Sequence, residues 1–232
     1  MSLIESEALV VRTVEFGEAD VIVTLVTEQV GKLGAIVRGA RKGSRRVGGA
    51  LEPVHTLSAL LEDKGGDLAT LREARVVRAR TGVVSDLEAL DAAGIALRWA
   101  RHAFPPRTPE PQGWRVLIEL LDVLDARQSP PKLELAGAGL AMLGALGFAL
   151  DLERCVVCGR ECPQTKVSCI DPARGGLVCR SCGGAGTVIL PGVRAAARAF
   201  AAGQAGDVSE KDAGTLLELV DLAMAAHAGF ER

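Results

Sequence analysis

The sequence has no tyrosine and few other aromatic rings: five phenylalanines and two tryptophans in 232 residues. Base stacking on aromatic faces contributes about 1–3 kcal/mol per base in single-strand binders. The first eighty residues hold one ring, Phe16, so any grip on nucleic acid there rests mainly on charge. Catalytic patterns are also missing. No Gly-x-Ser-x-Gly and no His-x-Glu occurs, and neither Cys-x-x-Cys pair follows a proline, which excludes the deaminase signature. Gly39 and Lys42-Gly43-Ser44 stand in the wrong order for a phosphate loop. No run of about twenty residues is apolar and uncharged, which argues against a membrane span. No charged start followed by an apolar stretch marks a signal peptide. A cytoplasmic, non-enzymatic protein is the expectation, with neither a membrane nor a small-molecule substrate as partner.

Acidic residues are absent between Glu28 and Glu52, where six basic residues stand: Lys32, Arg38, Arg41, Lys42, Arg45 and Arg46. Four glycines from Gly39 to Gly49 oppose a helix. The whole chain carries a formal charge of -2, so this concentration is local. A mobile cationic loop on a near-neutral body suits a polyanion such as DNA or RNA. A solvated surface loop is the plainer alternative. Residues 200–232 hold two basic and six acidic side chains, which makes that end acidic.

Residues 3–80 alternate in polarity in short β-branched runs. Val21, Val23 and Leu25 interleave with Ile22, Thr24 and Val26, and Lys64-Gly65-Gly66-Asp67 marks a hairpin. About five strands in this length fit a small OB-fold barrel. The pattern then becomes helical. Ser85 and Glu88 have the spacing of a capping box. Leu87, Leu90, Gly94 and Leu97 form one stripe, and Trp114, Leu117, Ile118, Leu121 and Leu124 another. Ser129-Pro130-Pro131 opens a third helix, whose glycines (Gly137, Gly139, Gly144, Gly147) point to close helix packing. Ser209 and Asp212 start a last helix. Arg72, Arg75, Arg78 and Arg80 lie near the end of the strand region, with Arg78 and Arg80 on one face by alternation.

Cys155-x-x-Cys158 and Cys179-x-x-Cys182 form the strongest chemical signal. Two short turns each supplying two sulfurs suit a tetrahedral zinc, and four protein ligands leave no position for catalytic water. Gly159 and Gly183 follow the second cysteine of each pair and allow tight turns. No histidine lies in this segment. Cys162 and Cys169 remain over. They read as bystander thiols, with Cys162 near enough to Cys158 in sequence to compete for the metal.

The opening EALVVRTVEFGEADVIVTLVTEQVGKLGAIVRGARK and the ribbon CVVCG…DPARGGLVCRSC resemble the RecO family of bacterial recombination mediators, and the likeness runs the length of the chain. The resemblance implies an α+β protein. Its parts would be an OB-fold DNA-binding domain (1–81), an all-helical domain in two pieces (82–153 and 189–232), and an inserted four-cysteine zinc ribbon (154–188). It implies binding of single- and double-stranded DNA, annealing of complementary strands, and help with RecR in loading RecA onto strands covered by single-stranded-DNA-binding protein. Its basic loop falls on Lys32, Arg38, Arg41 and Lys42, and its zinc cysteines on Cys155, Cys158, Cys179 and Cys182. Arg98, Arg101 and Arg115 are candidate partners for the carboxylates of the single-stranded-DNA-binding protein's tail. A nucleoid-associated location follows. Two other readings stay open: a zinc-based redox sensor or chaperone using all six cysteines, and an RNA-binding ribbon protein.

Overall fold

The computed structural model describes residues 2–42, 47, 51–203 and 208–229, with Lys42 described by its backbone alone. The chain divides into two compact units, Met1–Ala126 and Arg127–Arg232.

The first unit opens with five strands: β1 (Ser2–Phe16), β2 (Asp20–Thr27), β3 (Gly31–Val37), β4 (Thr56–Asp63) and β5 (Leu68–Arg78). They close into a barrel in the order β1-β2-β3-β5-β4. Closure is possible because β1 is long enough to serve two neighbours. Its first half pairs with β4 from Ser2 to Ala8, and its second half with β2 from Ala8 to Phe16. The β3–β5 contact is the one parallel pairing of the ring. The alternation read from sequence is the inside–outside alternation of the strands. Val21, Val23 and Leu25 of β2 and Leu33, Ala35 and Val37 of β3 all enter the barrel core. A one-residue slip would expel the whole set.

Three helices complete this unit: α1 (Thr81–Val84), α2 (Leu87–Ala103) and α3 (Pro111–Ala126). Helix α2 packs against β1 and β2. There Leu9 and Val26, register partners outside the barrel core, are also fully buried. Two sequence expectations change here. The cap of α2 is Asp86, whose carboxylate accepts from the amides of Glu88 and Ala89. Ser85 ends α1 instead and donates its hydroxyl to Gly82 O, so the box one residue earlier does not form. The buried face of α2 is Ala89, Ala92, Ala93, Ala96, Leu97, Trp99 and Ala100. Leu87 is 82% exposed and Leu90 41%: the buried face is mostly alanine, which lets the helix lie close. The α3 stripe does face inward at Trp114, Leu117, Leu121 and Leu124.

Arg80 was expected to share an exposed strand face with Arg78. Strand β5 ends at Arg78, and Arg80 is buried. Its guanidinium donates to Val54 O (2.7 Å), Thr56 Oγ1 (2.9 Å) and Asp122 of α3 (2.9 Å). Arg78 stays exposed and reaches the same Asp122 at 2.5 Å. One arginine thus ties the barrel to α3. It also holds Val54, whose φ of 69° is unusual for a β-branched residue.

The second unit holds α4 (Pro131–Ala145), α5 (Pro191–Ala201) and α6 (Glu210–Ala228) around a small sheet. The sheet has the order β6-β8-β7-β9 from β6 (Asp151–Cys155), β7 (Ser168–Asp171), β8 (Gly176–Leu177) and β9 (Thr187–Ile189). Pro131 occupies the first turn of α4, where its missing amide costs nothing. A Cβ on Gly137 would stand 3.0 Å from Phe200 of α5, so there the small residue serves close packing. Ser209 caps α6, accepting from the Asp212 amide. Among the described residues no helix is long and apolar enough to cross a membrane.

Candidate nucleic-acid interface and metal centre

The basic turn follows β3. Gly39 takes φ 68°, and its amide donates to Asp20 Oδ1 at 2.8 Å. Residues Ala40–Lys42 form one 3-10 turn. Arg41 N donates to Ala19 O at 3.0 Å. The turn therefore rests on the β1–β2 hairpin, whose residues 12–18 are exposed. Arg38 and Arg41 are both exposed. Arg41 reaches Glu15 at 3.3 Å and Gly17 O at 3.5 Å, an open pair of small energetic weight. Phe16, the one aromatic of the barrel, is 51% exposed on the same hairpin. Most of the expected mobile loop lies outside the described residues; of its described residues, Val47 is buried in the barrel core, and Ala40 and Leu51 pack against that core. Arg45, Arg46 and the side chain of Lys42 lie outside the described residues.

Lys32 stands apart from that turn. Its ammonium is half-buried and donates to Arg101 O at 2.7 Å, in the last turn of α2. Burial, and after it the charge of Arg101, lowers its pKa. A cation at a helix C-terminus meets unsatisfied carbonyls and the negative end of the dipole, so Lys32 also secures the helix to the barrel. Other basic residues near the strand ends are engaged. Arg72 forms an ion pair with the buried Glu62, and Arg107 with Asp63.

In the second unit four thiols converge. The Sγ atoms of Cys155, Cys158, Cys179 and Cys182 all lie within 4.8 Å of one another. A tetrahedron with metal–sulfur bonds of about 2.3 Å has sulfur–sulfur edges of about 3.8 Å, and Cys158 Sγ stands 3.8 Å from Cys179 Sγ. The elements explain the convergence. Cys155 ends β6, and Gly159 (φ 72°) turns the chain back with its amide on Cys155 O. Cys179 and Cys182 flank a 3-10 turn closed by Gly183 (φ 97°). The Cys179 amide donates to Cys155 Sγ at 3.3 Å. That bond leads in lowering the Cys155 pKa to about 6. Hydrogen bonding with Cys179 and Cys158, with burial behind it, raises Cys182 to about 12. A four-thiolate set fits zinc.

Cys162 and Cys169 are outside the cluster. Cys162 Sγ turns to Arg160 O at 3.9 Å, and burial raises its pKa. Sequence reading missed the residue that holds this segment down, Arg194 of α5. It is 1% exposed and donates to Leu152 O (2.7 Å), Cys162 O (2.8 Å) and Pro163 O (2.9 Å). Its only sequence signal is an arginine on an otherwise apolar helix face.

An OB-type barrel bearing a cationic turn, and a helical unit carrying a four-thiol ribbon, are together the features of a DNA-binding class of protein. The comparisons give the particular family. The profile described as Recombination protein O N terminal matches residues 1–80, and Recombination protein O C terminal matches residues 84–232. The chain is 34% identical to the DNA repair protein RecO of Geobacter metallireducens over 98% of its own length and 93% of the relative's. It is 36% identical to that of Anaeromyxobacter sp. strain Fw109-5 over 85% and 79%. The Myxococcus xanthus protein is 33% identical over 79% and 74%. This chain belongs to the RecO family, whose role is DNA repair and recombination.

Proposed function

We propose that the chain is a non-enzymatic recombination mediator that binds single- and double-stranded DNA, anneals complementary strands and, with RecR, helps load RecA on strands covered by single-stranded-DNA-binding protein. The observation that carries this reading is the exposed pair Arg38 and Arg41 on a turn pinned to the barrel hairpin. Lys42, Arg45 and Arg46 follow it in sequence. Two polynucleotide strands repel each other. A cationic surface that touches phosphates lowers that repulsion without reading sequence, and bases then pair. Phe16 beside the turn adds one stacking surface, worth about 1–3 kcal/mol. Residues 1–81 act as the DNA-binding domain. The ribbon of Cys155, Cys158, Cys179 and Cys182 holds one structural zinc ion that fixes its fold and takes no part in chemistry.

The test is strand annealing by the purified chain, with complementary oligonucleotides either naked or coated with single-stranded-DNA-binding protein. Arg38→Glu combined with Arg41→Glu and Lys42→Glu is expected to abolish annealing while leaving the thermal transition in place. Undiminished annealing by that variant would remove the turn from the mechanism.

A further inference from the structure

The junction of α2 with the barrel gathers the positive charges of Arg12, Lys32 and Arg101. Lys32 of β3 lies on the last turn of α2. Arg101 donates to His102 Nε2 at 2.8 Å, so the imidazole acts as an acceptor. The charges acting most strongly on that ring are Arg101, Lys32, Arg98 and Arg12, all positive. Arg12 is exposed on β1, next to the bulge at Val10/Arg12. Among the described residues Arg12, Lys32 and Arg101 form no ion pair.

The simplest explanation is that these cations complement the C-terminus of α2. Magnitude argues against it as the whole account. A helix end carries about half a negative charge, whereas Arg12, Lys32 and Arg101 bring three positive charges that meet no carboxylate among the described residues. Arg12, Lys32 and Arg101 repel one another, and an anion bound among them relieves that repulsion.

We propose that this junction is a second phosphate-binding subsite, in which Arg12 and Arg101 hold the phosphodiester backbone of a polynucleotide, with Lys32, Arg98 and His102 behind them. The subsite rests on the DNA-binding reading above and extends it. Strand β1 runs from Arg12 to the hairpin turn at Gly17, where Arg41 lies. Five strand residues at roughly 3.3 Å span about 17 Å. Phosphates repeat about every 3.4 Å along one strand of a duplex and about twice as far apart in a stretched single strand, so about three to five separate the two clusters. One polynucleotide reaches both. Charges spread along a strand and a helix match an extended backbone better than the end of an acidic peptide.

The test compares the full-length chain with Arg12→Ala/Arg101→Ala and with Arg12→Lys/Arg101→Lys. The probes are oligo-dT of about 4 and about 16 nucleotides, the range of site sizes for such barrels. The slope of log K against log salt is measured for each. With the long probe the alanine pair is expected to lower the slope by about 1.4, two contacts at about 0.7 each. The short probe, held at the turn alone, shows no change, and the lysine pair restores the slope. Arg12→Ala alone, at an exposed side chain with no ion pair among the described residues, gives about half the effect and guards against misfolding. An unmoved slope with the long probe overturns the subsite. So does loss of polyglutamate binding with retained oligonucleotide binding, which would mark an acidic-peptide site. If the unaltered chain binds neither oligonucleotide, the DNA-binding reading fails first. If it binds both and Arg12 is silent, only the subsite fails.

Discussion

Replacing Arg194 by methionine is the perturbation whose cost the structure sets most directly. The guanidinium is buried and gives three charged hydrogen bonds of 2.7–2.9 Å to the carbonyls of Leu152, Cys162 and Pro163. A fourth, to Ser168 Oγ, is long at 3.4 Å and weak. Bonds to a charged donor contribute roughly 1.5–3 kcal/mol each, so the three good ones give about 4–9 kcal/mol. Burying a cation returns several kcal/mol of that, and burial does lower the Arg194 pKa. The difference is about 2–4 kcal/mol. In a chain of this size about 1 kcal/mol moves Tm by roughly 2–4 °C, so a fall of about 5–15 °C is expected in thermal unfolding. Arg194→Lys should recover only part of it, since one ammonium cannot reach three carbonyls split between β6 and the segment at Cys162 and Pro163. A Tm within 2 °C of the parent chain, or full recovery by lysine, would refute the claim that this fork of donors fixes the ribbon to α5.

The remaining expectations concern the metal, the acid limb and Lys32. Cys155→Ser with Cys179→Ser should remove the bound zinc and lower stability, because metal binding and folding are linked. Cys162→Ser and Cys169→Ser should retain one zinc per chain by metal analysis. Glu62 is buried against Arg72, whose hydrogen bond leads in lowering its pKa. A carboxylate with a depressed folded pKa contributes stability that is complete above its unfolded value of about 4.3 and is lost as pH falls through the folded one. Urea unfolding of Glu62→Gln should therefore show less stability than the parent at neutral pH, and the two curves should converge in acid. Lys32→Glu should destabilise the first unit by roughly 1 kcal/mol or more, by placing an anion at the end of α2. Arg41→Glu should not, which urea midpoints would show.

Local patterns were legible in the sequence. The strand alternation of Val21 to Val26 and of Leu33 to Val37 is a two-residue period, and one buried face enforces it. The two Cys-x-x-Cys turns announce their geometry because each is closed within five residues by its own glycine. What stayed hidden depends on distant parts of the chain. Lys32 looks like one more loop cation until a helix end 69 residues later arrives to receive it. Arg80 and Arg194 look like surface charge, yet both are buried by carbonyls brought from 26 to 42 residues away. Spacing rules favoured Leu87 and Leu90 as the core face of α2. The alanine face won because it allows closer approach to β1 and β2. Ser85 fitted a capping pattern, but Asp86 stood one residue nearer the helix start.

The account stands on positive side chains of the barrel holding phosphates. Titrating single-stranded oligonucleotide binding by the unaltered chain against salt tests this most directly. It predicts that log K falls linearly with log salt, at a slope of about -0.7 per phosphate contacted, and that base sequence changes the affinity little. Binding that ignores salt, or no binding in dilute buffer, would contradict it.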